Sequence, residues 1–590
     1  MWGSRDLPTI SSHSPRFPIW ASSGHSGKKT IEAIQANSLP SQRFLPALSA
    51  QKPLTAMPSF VHPSIGRIAG NTAGACTQFL GIKYAQLKDR FASPEPIHYD
   101  GSGIDATKYG PQVVSPPSGV DIELGVIQKP LPKPEFPGVS DVSGLTLNIT
   151  VPSHADGISK PKDLPVLVFI HGGGFALGGS WWPQYNFARF VTLSADLNKP
   201  VIGITINYRL GAPGFLTSPE LRKAGYKPNN GLRDQRAALR WIKKHIGGFG
   251  GDPEDITVMG QSAGGVSAGY LLLSQEPLAK RLVCLSGCPP FLGQLPLQAA
   301  DQIAKQAYKC LGQEDLASTE QVQRLLEIPA ENFWTLLPMG LPMLPVIDGD
   351  IIPQEFDFRT LSQGKDTLPG TQWVEGLLIG DSKLDGSIMA YLGLLVRKDG
   401  IAEAFRNSAT RSLADYPDAL APLLEHYSLS ESATKMLSDD ESLLNILKFI
   451  SDAAFYMPLT EFAAKIPNDA FVFAFNEPNP WDGLFKGHAS HILDVAFLFQ
   501  NYNEYLSEEQ RASAKSFGVD VITFVNGEAP WKAFNRGQHG VAVYCNGGRK
   551  YYEPADPEKI SRDTFILKLA TKENGPGMKR VMQVFTDFLA

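Results

Sequence analysis

Residues 260–264 place a serine hydroxyl between two glycines, in the order Gly-Gln-Ser-Ala-Gly. The strand-like segment Asp255–Met259 precedes this pentapeptide, and small residues that can begin a helix follow it. A sharp turn between a strand and a helix exposes its serine hydroxyl at the C-terminal edge of a parallel sheet. The pattern predicts that Ser262 is a nucleophile, but in a chain rich in Gly and Ser it needs support from other residues.

Three consecutive glycines, Gly172–Gly174, follow His171 at the end of an apolar segment. Glycines leave their backbone N–H groups uncovered, so these groups can donate hydrogen bonds to a developing negative charge. Glycine runs also form plain turns or phosphate-binding loops. However, no G-K-[ST] follows this run, and the G-x-G-x-x-G spacing of a dinucleotide-binding loop is missing. Together with the serine pentapeptide, the run indicates acyl transfer, in which an oxyanion must be stabilised.

Acyl transfer by a serine also requires a histidine base and a carboxylate that orients it. In α/β-hydrolases these residues follow the serine in the order acid, then histidine. Two histidines, His488 and His491, lie in a loop that follows a strand-like segment. Two aspartates, Asp381 and Asp385, follow the strand-like segment 377–380. Spacing alone does not choose between the members of either pair.

Apolar segments that alternate with helical segments must position these residues. The run Leu164–Ile170 is almost continuously apolar, which is typical of a strand covered on both faces. Residues 232–245 place apolar side chains on one helical face, and helical patterns dominate at 290–340 and 395–450. The other strand-like segments are 79–85, 145–151, 201–208, 255–259, 377–380 and 470–475. The alternation predicts an α/β fold with a mostly parallel sheet, helices on both faces and helical insertions that form a cap.

Composition excludes several classes of function. The 590 residues carry a net charge of −5, which gives no electrostatic reason to bind nucleic acid or an anionic membrane. No apolar run reaches the roughly 18 residues of a membrane span. The five cysteines follow neither a disulfide nor a zinc pattern, and reduced thiols are typical of a cytoplasmic protein. We expect no cofactor and no metal.

Residues 1–56 differ in composition from the rest of the chain. They contain many serines and scattered prolines but only two acidic residues, Asp6 and Glu32. No apolar segment of a secretory signal follows the start, and an organellar transit peptide is a minor alternative. We expect residues 1–56 to be a disordered extension and residues 57–590 to form one domain.

The motifs together resemble those of the type-B carboxylesterases, a group that includes cholinesterases and fungal lipases of the same α/β-hydrolase fold. The resemblance runs from about Phe79 to Phe524. Its strongest block extends from Asn230 to Gly264. The segments that carry it are 79–85, 171–175, 207–211, 230–235, 247–264 and 345–349. The chain looks like an intracellular fungal member, because the cysteine pair common in secreted members is absent.

The resemblance selects among the candidate site residues. The family's Lys-Asp-Glu-Gly segment corresponds to residues 383–386, which implies that Asp385 is the acid, although the family usually has glutamate there. The family's histidine is followed three residues later by an acid, which matches His491 and Asp494 and favours His491 over His488.

The oxyanion donors of the family correspond to the backbone N–H groups of Gly173, Gly174 and Ala263. Gln261 stands where cholinesterases have a glutamate. The chain therefore lacks a negative charge that helps those enzymes to hold cationic substrates, and we do not expect it to be a cholinesterase. Arg209 and Asp234 correspond to a structural ion pair.

The resemblance therefore implies a serine esterase. Ser262, His491 and Asp385 would form the triad, and an uncharged small or medium ester would be the substrate. The same residues could also serve a lactonase, a thioesterase or an acyltransferase, and the fold occurs in binding proteins that have lost the serine. Trp181 and Trp182 could line the substrate pocket or belong to the core. Neither the oligomeric state nor the natural substrate follows from the sequence.

Overall fold

The computed structural model describes residues 58–153, 163–338, 340–364, 367–535, 539–553, 557–560 and 562–589. The prediction that residues 1–56 are disordered lies outside these ranges. Sixteen strands, β1 to β16, occur in the described ranges: Ser59–His62, Gly66–Ala69, Asn71–Ala73, Cys76–Lys83, Ala85–Gln86, Glu95–Pro96, Ile104–Asp105, Thr146–Pro152, Leu164–Ile170, Ile202–Ile206, Gly251–Gln261, Arg281–Leu285, Gly376–Ser382, Asp469–Phe475, Val541–Cys545 and Gly548–Tyr552.

A sheet of eleven strands dominates the described structure. Its order is β16-β15-β14-β13-β12-β11-β9-β10-β8-β4-β3. The seven central strands, from β15 to β10, run parallel to their neighbours. Antiparallel strands close the sheet at both sides, where β16 pairs with β15 and where β8 pairs with β10. The predicted mostly parallel sheet is confirmed.

Helices cover both faces of this sheet. Twenty α-helices, α1 to α20, occur in the described ranges: Gly119–Ile127, Ala188–Asp196, Gly211–Phe215, Pro219–Lys223, Asn230–His245, Ala263–Tyr270, Leu297–Cys310, Ser318–Glu327, Asn332–Leu336, Phe358–Gln363, Ile401–Ser412, Pro417–His426, Glu431–Thr434, Asp439–Ile450, Met457–Lys465, Leu493–Leu498, Glu508–Val525, Pro557–Ile560, Phe565–Thr571 and Gly577–Leu589. Helices α7 to α9 and α11 to α14 lie in the two regions where helical patterns dominate.

Strand β9 shows why an apolar run forms the centre of the sheet. Val166 and Val168 pack into the hydrophobic core on one face. Leu167 and Phe169 pack into the core on the other face. Because side chains alternate across a strand, only a strand that is apolar at every position can be buried on both faces.

The sequence missed the elements at the two ends of the described chain. Strands β1, β2 and β7 form a separate small sheet, and β15 and β16 extend the large one. The first three are at most four residues long, too short to show an alternating pattern. Helix α1, Gly119–Ile127, was also missed, because most of its surface is buried and it has no polar face that would reveal a helical period.

A buried ion pair fixes the segment that follows β10. Nε and Nη2 of Arg209 donate to the two carboxylate oxygens of Asp234 at 2.8 and 2.7 Å. The remaining nitrogen, Nη1, donates to the backbone carbonyls of Arg90 and Ala92. The contact agrees with the structural ion pair that the resemblance implies. A bidentate arginine–carboxylate pair is the geometry that best offsets the cost of burying both charges.

Candidate active site

Ser262 lies in the turn between β11 and α6. Its φ and ψ angles are 53° and −122°, a strained conformation for a residue with a side chain. The two flanking glycines permit this turn, because a Cβ atom on Gly260 would lie 2.0 Å from the carbonyl oxygen of Gly264. A Cβ atom on Gly264 would lie 2.0 Å from the carbonyl oxygen of Ile170. Ser262 is only partly buried, so the turn presents its hydroxyl at the C-terminal end of the parallel strands.

The structure brings His491 and Asp385 together. Nδ1 of His491 lies 2.7 Å from Oδ1 of Asp385, and both side chains are buried. The backbone N–H of Ser382 donates to Oδ2 of Asp385 at 2.9 Å. Because a carboxylate can only accept, Nδ1 of His491 carries the proton, which leaves Nε2 as an acceptor. This is the tautomer that a base needs in order to take a proton from a serine.

The other two candidates from the sequence lie in different contacts. Asp381 is buried and pairs with Arg562 at 2.9 Å. His488 is half-buried and is assigned no carboxylate partner among the described residues. Burial lowers the pKa of His488, with smaller contributions from Lys448 and Lys383. The sequence did not separate these candidates by spacing, whereas the structure joins only Asp385 to a histidine.

Two backbone contacts hold the acid and histidine segments side by side. The N–H of Leu384 donates to the carbonyl of Ala489 at 2.7 Å. The N–H of His491 donates to Oγ of Ser387 at 2.9 Å. These contacts bracket Asp385 on both sides, which explains how a side chain shorter than glutamate reaches the imidazole.

A third carboxyl group lies near this pair. Asp494 is buried, and its Oδ2 accepts a hydrogen bond from Oγ of Ser286 at 3.2 Å. Burial raises the pKa of Asp494, and the charge of Asp385 raises it further. Asp494 therefore keeps a proton to a higher pH than an exposed aspartate does.

The glycine run forms the loop beside Ser262. Gly173 and Gly174 have φ angles of 96° and 61°, which only glycine adopts at little cost. In the described structure, the N–H groups of Gly173, Gly174 and Ala263 are assigned no acceptor. Burial lowers the pKa of His171 to about 4, so its ring is neutral and serves to anchor the start of the loop. The loop and the first residue of α6 thus offer three N–H groups that could donate to a ligand.

Gln261 makes a contact that the sequence did not predict. Its side-chain amide lies 3.1 Å from Nε2 of His491, the nitrogen that would accept the Ser262 proton. No hydrogen bond between Ser262 and His491 is assigned among the described contacts. In serine triads this bond often forms fully only when the substrate is bound. The motif itself pointed to Gln261, but only the fold shows that its amide reaches the histidine.

Trp181 and Trp182, which follow the glycine loop in the sequence, belong to the core. Trp181 and Trp182 are 3% and 2% exposed, and they pack with Tyr185 and helix α1. Glu123 of α1 lies among these aromatic rings, and its Oε1 accepts hydrogen bonds from Tyr185 and Gln184. Burial raises the pKa of Glu123 from its ordinary value to about 7.

Replacing Glu123 by glutamine is expected to stabilise the protein at alkaline pH. Since the folded state raises this pKa, the contribution of Glu123 to stability is complete below about pH 4.5 and is lost as the pH rises through 7. The oxygen of a glutamine amide can accept the same two hydrogen bonds and has no charge to bury. We expect the change in the free energy of unfolding caused by Glu123→Gln to be more favourable at pH 8 than at pH 5. The difference between the two changes should be about 1–3 kcal/mol.

Urea unfolding at both pH values measures this difference. Glu331→Gln, at an exposed glutamate, serves as the control and should change little at either pH. An equal effect of Glu123→Gln at pH 5 and pH 8 would contradict the prediction.

A mostly apolar cavity of about 110 Å³ adjoins the glycine loop. Gly174 lies on one side of it. Leu210, Trp334, Leu341 and Leu344 line other parts, and no charged side chain contributes to the lining. An apolar lining favours an uncharged ligand group.

Three further observations concern the described residues as a whole. All five cysteines fall within them, and none forms a disulfide. No helix in these ranges combines the length and the apolar composition that crossing a membrane requires. In the same ranges, no three His, Cys, Asp or Glu side chains group as they would around a metal ion.

Comparison with known proteins gives a consistent picture. The model of the carboxylesterase family matches residues 58–574. Lipase 1 of Yarrowia lipolytica is 36% identical over 77% of this chain and 84% of that lipase. Lipase 4 of Diutina rugosa is 31% identical over 57% of this chain, and the match spans 64% of that lipase, less than two thirds. A solved carboxylesterase of Geobacillus stearothermophilus superposes with a TM-score of 0.65 at 23% identity, covering 85% of this chain and 99% of that structure. The predicted α/β-hydrolase fold is confirmed.

Proposed function

The chain belongs to the carboxylesterase family of carboxylic ester hydrolases, and from this premise we propose that it cleaves esters through Ser262, His491 and Asp385. The observation that carries the proposal is the 2.7 Å hydrogen bond between Asp385 and His491, close to the serine turn. This hydrogen bond sets the tautomer of the imidazole. Gln261, the residue before the nucleophile, contacts the same ring. A nucleophile, a base and a group that orients the base are the minimum for an acyl-enzyme mechanism.

In the first step, Oγ of Ser262 attacks the ester carbonyl carbon while Nε2 of His491 takes its proton. The amide of Gln261 must release Nε2 for this transfer. The carbonyl oxygen becomes an oxyanion, which the N–H groups of Gly173, Gly174 and Ala263 stabilise. Each donor of this kind contributes about 3 kcal/mol to catalysis.

In the second step, the tetrahedral intermediate expels the alcohol, which receives its proton from His491. A water molecule then gives a proton to His491 and attacks the acyl-enzyme. Collapse of that intermediate releases the carboxylic acid and returns the proton to Ser262. Asp385 stays ionised throughout and stabilises the imidazolium that forms twice in each cycle.

The substrate that fits best is an uncharged ester of small or medium size. The cavity beside Gly174 supports this, because it can enclose an aliphatic or aromatic group next to the oxyanion loop. Gln261 supports it as well, since an amide beside the nucleophile supplies no negative charge that would attract a cationic alcohol.

Narrowing this cavity is expected to shift the preference toward shorter acyl groups. Leu344 lines the cavity and is partly buried, so Leu344→Trp fills part of its volume. We expect the ratio of kcat/KM for p-nitrophenyl octanoate over p-nitrophenyl acetate to fall by about 10-fold, because one or two methylene groups in an apolar pocket are worth about 1–3 kcal/mol. Leu336→Trp is the matched control, since Leu336 is 45% exposed and does not line the cavity. An unchanged ratio would exclude this cavity as the acyl site.

Fluorophosphonate labelling of the purified protein, followed by peptide mapping, tests the proposed function. A label on Ser262 together with turnover of p-nitrophenyl esters supports an esterase. A label on Ser262 without turnover of any simple ester contradicts the proposed substrate class and points to a lactone, a thioester or another acyl acceptor. No label on protein shown to be folded would overturn the mechanism.

Two broader proposals accompany this one. Residues 57–590 act as one domain, because a single sheet takes strands from β3 near one end to β16 near the other. The protein acts in the cytoplasm, where its five unpaired cysteines would remain reduced.

A further inference from the structure

The acid of the site reaches its partner although its side chain is short. Aspartate is one carbon–carbon bond, about 1.5 Å, shorter than the glutamate that the resemblance leads one to expect. Asp385 nevertheless lies 2.7 Å from Nδ1 of His491. The backbone that carries Asp385 must therefore be held close to the histidine, and the contacts of Leu384 and Ser387 with the histidine segment are not the only ones that restrain it.

Arg562 contacts the backbone of this segment directly. Its side chain is 2% exposed, and Nη1 donates to the carbonyl oxygen of Lys383 at 2.7 Å. Nη2 lies 2.9 Å from Oδ1 of Asp381 and 3.4 Å from the carbonyl oxygen of the same residue. One guanidinium group thus spans the turn that leads from β13 to Asp385. The centre of the guanidinium also lies 5.8 Å from the centroid of the Tyr456 ring, which limits its movement.

Arg562 and Arg209 divide their contacts differently between carboxylate and backbone. Arg209 directs two nitrogens at the two oxygens of Asp234 and one at backbone carbonyls. Arg562 directs one nitrogen at the carboxylate of Asp381 and uses its other contacts on backbone carbonyls. Among the described residues, Oδ2 of Asp381 and Nε of Arg562 are buried and have no hydrogen-bond partner, so the ion pair is not arranged for its own strength. The arrangement favours holding the backbone.

A second set of contacts restrains the residue after Asp385. The N–H of Gly386 donates to Oγ of Ser451 at 2.9 Å, and a Cβ atom on Gly386 would lie 2.2 Å from the carbonyl oxygen of Leu447. The acid segment is therefore in contact with α14, with the residues that follow α14 and with Arg562. Loss of the arginine contacts would release the backbone of residues 381 and 383 and let Asp385 move relative to His491.

We propose that Arg562 is a positioning residue, which holds residues 381–385 against the histidine segment so that the short Asp385 reaches His491. The inference rests on the proposed function, since it assigns Arg562 an effect on the triad. Arg562 touches no reacting atom and acts only through Asp385. A displacement of about 1 Å in a catalytic group can cost about 10²-fold in rate, so the effect is measurable.

A double-mutant cycle between positions 562 and 385 tests this inference. Arg562→Lys keeps a positive charge near Asp381 but cannot donate to two carbonyl groups with a rigid planar fork. We expect it to lower kcat for p-nitrophenyl butyrate by about 10- to 100-fold, with KM changed by less than about 3-fold. Asp385→Glu alone should also lower kcat by about 10-fold, because a longer acid does not fit the closed segment. Combined with Arg562→Lys, the longer side chain should compensate for the relaxed backbone.

The expected result is that the double variant has a kcat at least about 10-fold above the value that independent effects would give. A general loss of stability would not depend on whether residue 385 is aspartate or glutamate. Additive effects, or full kcat in Arg562→Lys, would overturn the inference. Arg281→Lys is the matched control, because Arg281 is also a buried arginine that pairs with an aspartate and donates to a backbone carbonyl, but at the far end of β12.

Asp381→Asn covers the case in which Arg562→Lys does not fold. This variant keeps the arginine and its hydrogen bonds to backbone carbonyls and removes only the carboxylate charge. We expect it to retain kcat within about 5-fold, because the arginine still donates to the carbonyl groups of residues 381 and 383 and so still restrains the backbone. A loss of kcat as large as that expected for Arg562→Lys would overturn the inference in favour of charge neutralisation. Labelling of Ser262 in the wild-type protein separates the two proposals: failure to label defeats the proposed function, whereas labelling with an additive cycle defeats only the role of Arg562.

Discussion

Replacing Ser262 by alanine is expected to lower kcat for p-nitrophenyl butyrate by about 10⁵- to 10⁶-fold while the protein stays folded. The hydroxyl is the group that forms the acyl-enzyme, and no other nucleophile in the described site can replace it. The oxyanion donors are backbone N–H groups, so they remain, and a slow reaction of water at the bound ester accounts for the residual rate. Because alanine keeps the Cβ atom, the strained backbone of the turn is preserved.

Steady-state kinetics on the purified variant, together with near-UV circular dichroism, measure this effect. Ser267→Ala is the control, since Ser267 lies on α6, the helix that follows Ser262, is buried, and accepts a hydrogen bond from Gln235 through its hydroxyl oxygen. The control should keep kcat within about 5-fold. If Ser262→Ala kept more than a hundredth of the wild-type kcat, the serine would not be the nucleophile.

Replacing Asp385 by asparagine is expected to lower kcat by about 10⁴-fold without a comparable change in KM. The reason lies in the hydrogen bond that the N–H of Ser382 donates to Oδ2 of Asp385. An asparagine in this position would turn its carbonyl oxygen toward that N–H and its NH₂ group toward Nδ1 of His491. The imidazole would then carry its proton on Nε2, where it cannot accept one from Ser262.

Asp381→Asn is the matched control for this variant, because Asp381 was the competing candidate for the acid and pairs with Arg562 instead. We expect a loss of less than about 5-fold for Asp381→Asn. Comparable losses in the two variants would mean that neither aspartate orients the histidine in the way proposed. Both variants are measured by kcat and KM at a pH where the wild type is fully active.

Much of the candidate site could be predicted from the glycine motifs. Ser262 and the run Gly172–Gly174 were found because sharp turns and close backbone approach can be built only from glycine, which leaves a local signature. Strand β9 was predicted with its observed bounds, Leu164–Ile170, because burial on both faces requires an unbroken apolar run.

The choice of acid and base could not be made from local pattern. Asp381 and Asp385 are four residues apart and differ only in which partner each one meets. Asp385 meets His491 and Asp381 meets Arg562, and both contacts depend on how distant segments pack. Resemblance to a family supplied the preference for Asp385, and packing supplied its geometry.

The contacts of three buried polar residues were not predicted for the same reason. Gln261 reaches His491, Glu123 lies among aromatic rings, and Arg562 contacts the acid segment. Gln261 lies in the serine motif, but the motif does not show where its amide points, and neither Glu123 nor Arg562 has a local pattern that distinguishes it from a residue exposed to solvent. Their partners lie far away in the sequence, and only the folded chain brings them together.

The order of the strands has a consequence for the newly made chain. The reacting groups are carried by β9, β11 and β13 and by the loop after β14, and the sheet joins them only when these strands are in register. Arg562 comes after β16, the last strand, in the sequence. A chain emerging from the ribosome would therefore hold its serine long before it holds a working site, and a topology with such distant contacts folds slowly. Ester-cleaving activity would therefore be a late event in the folding of the chain.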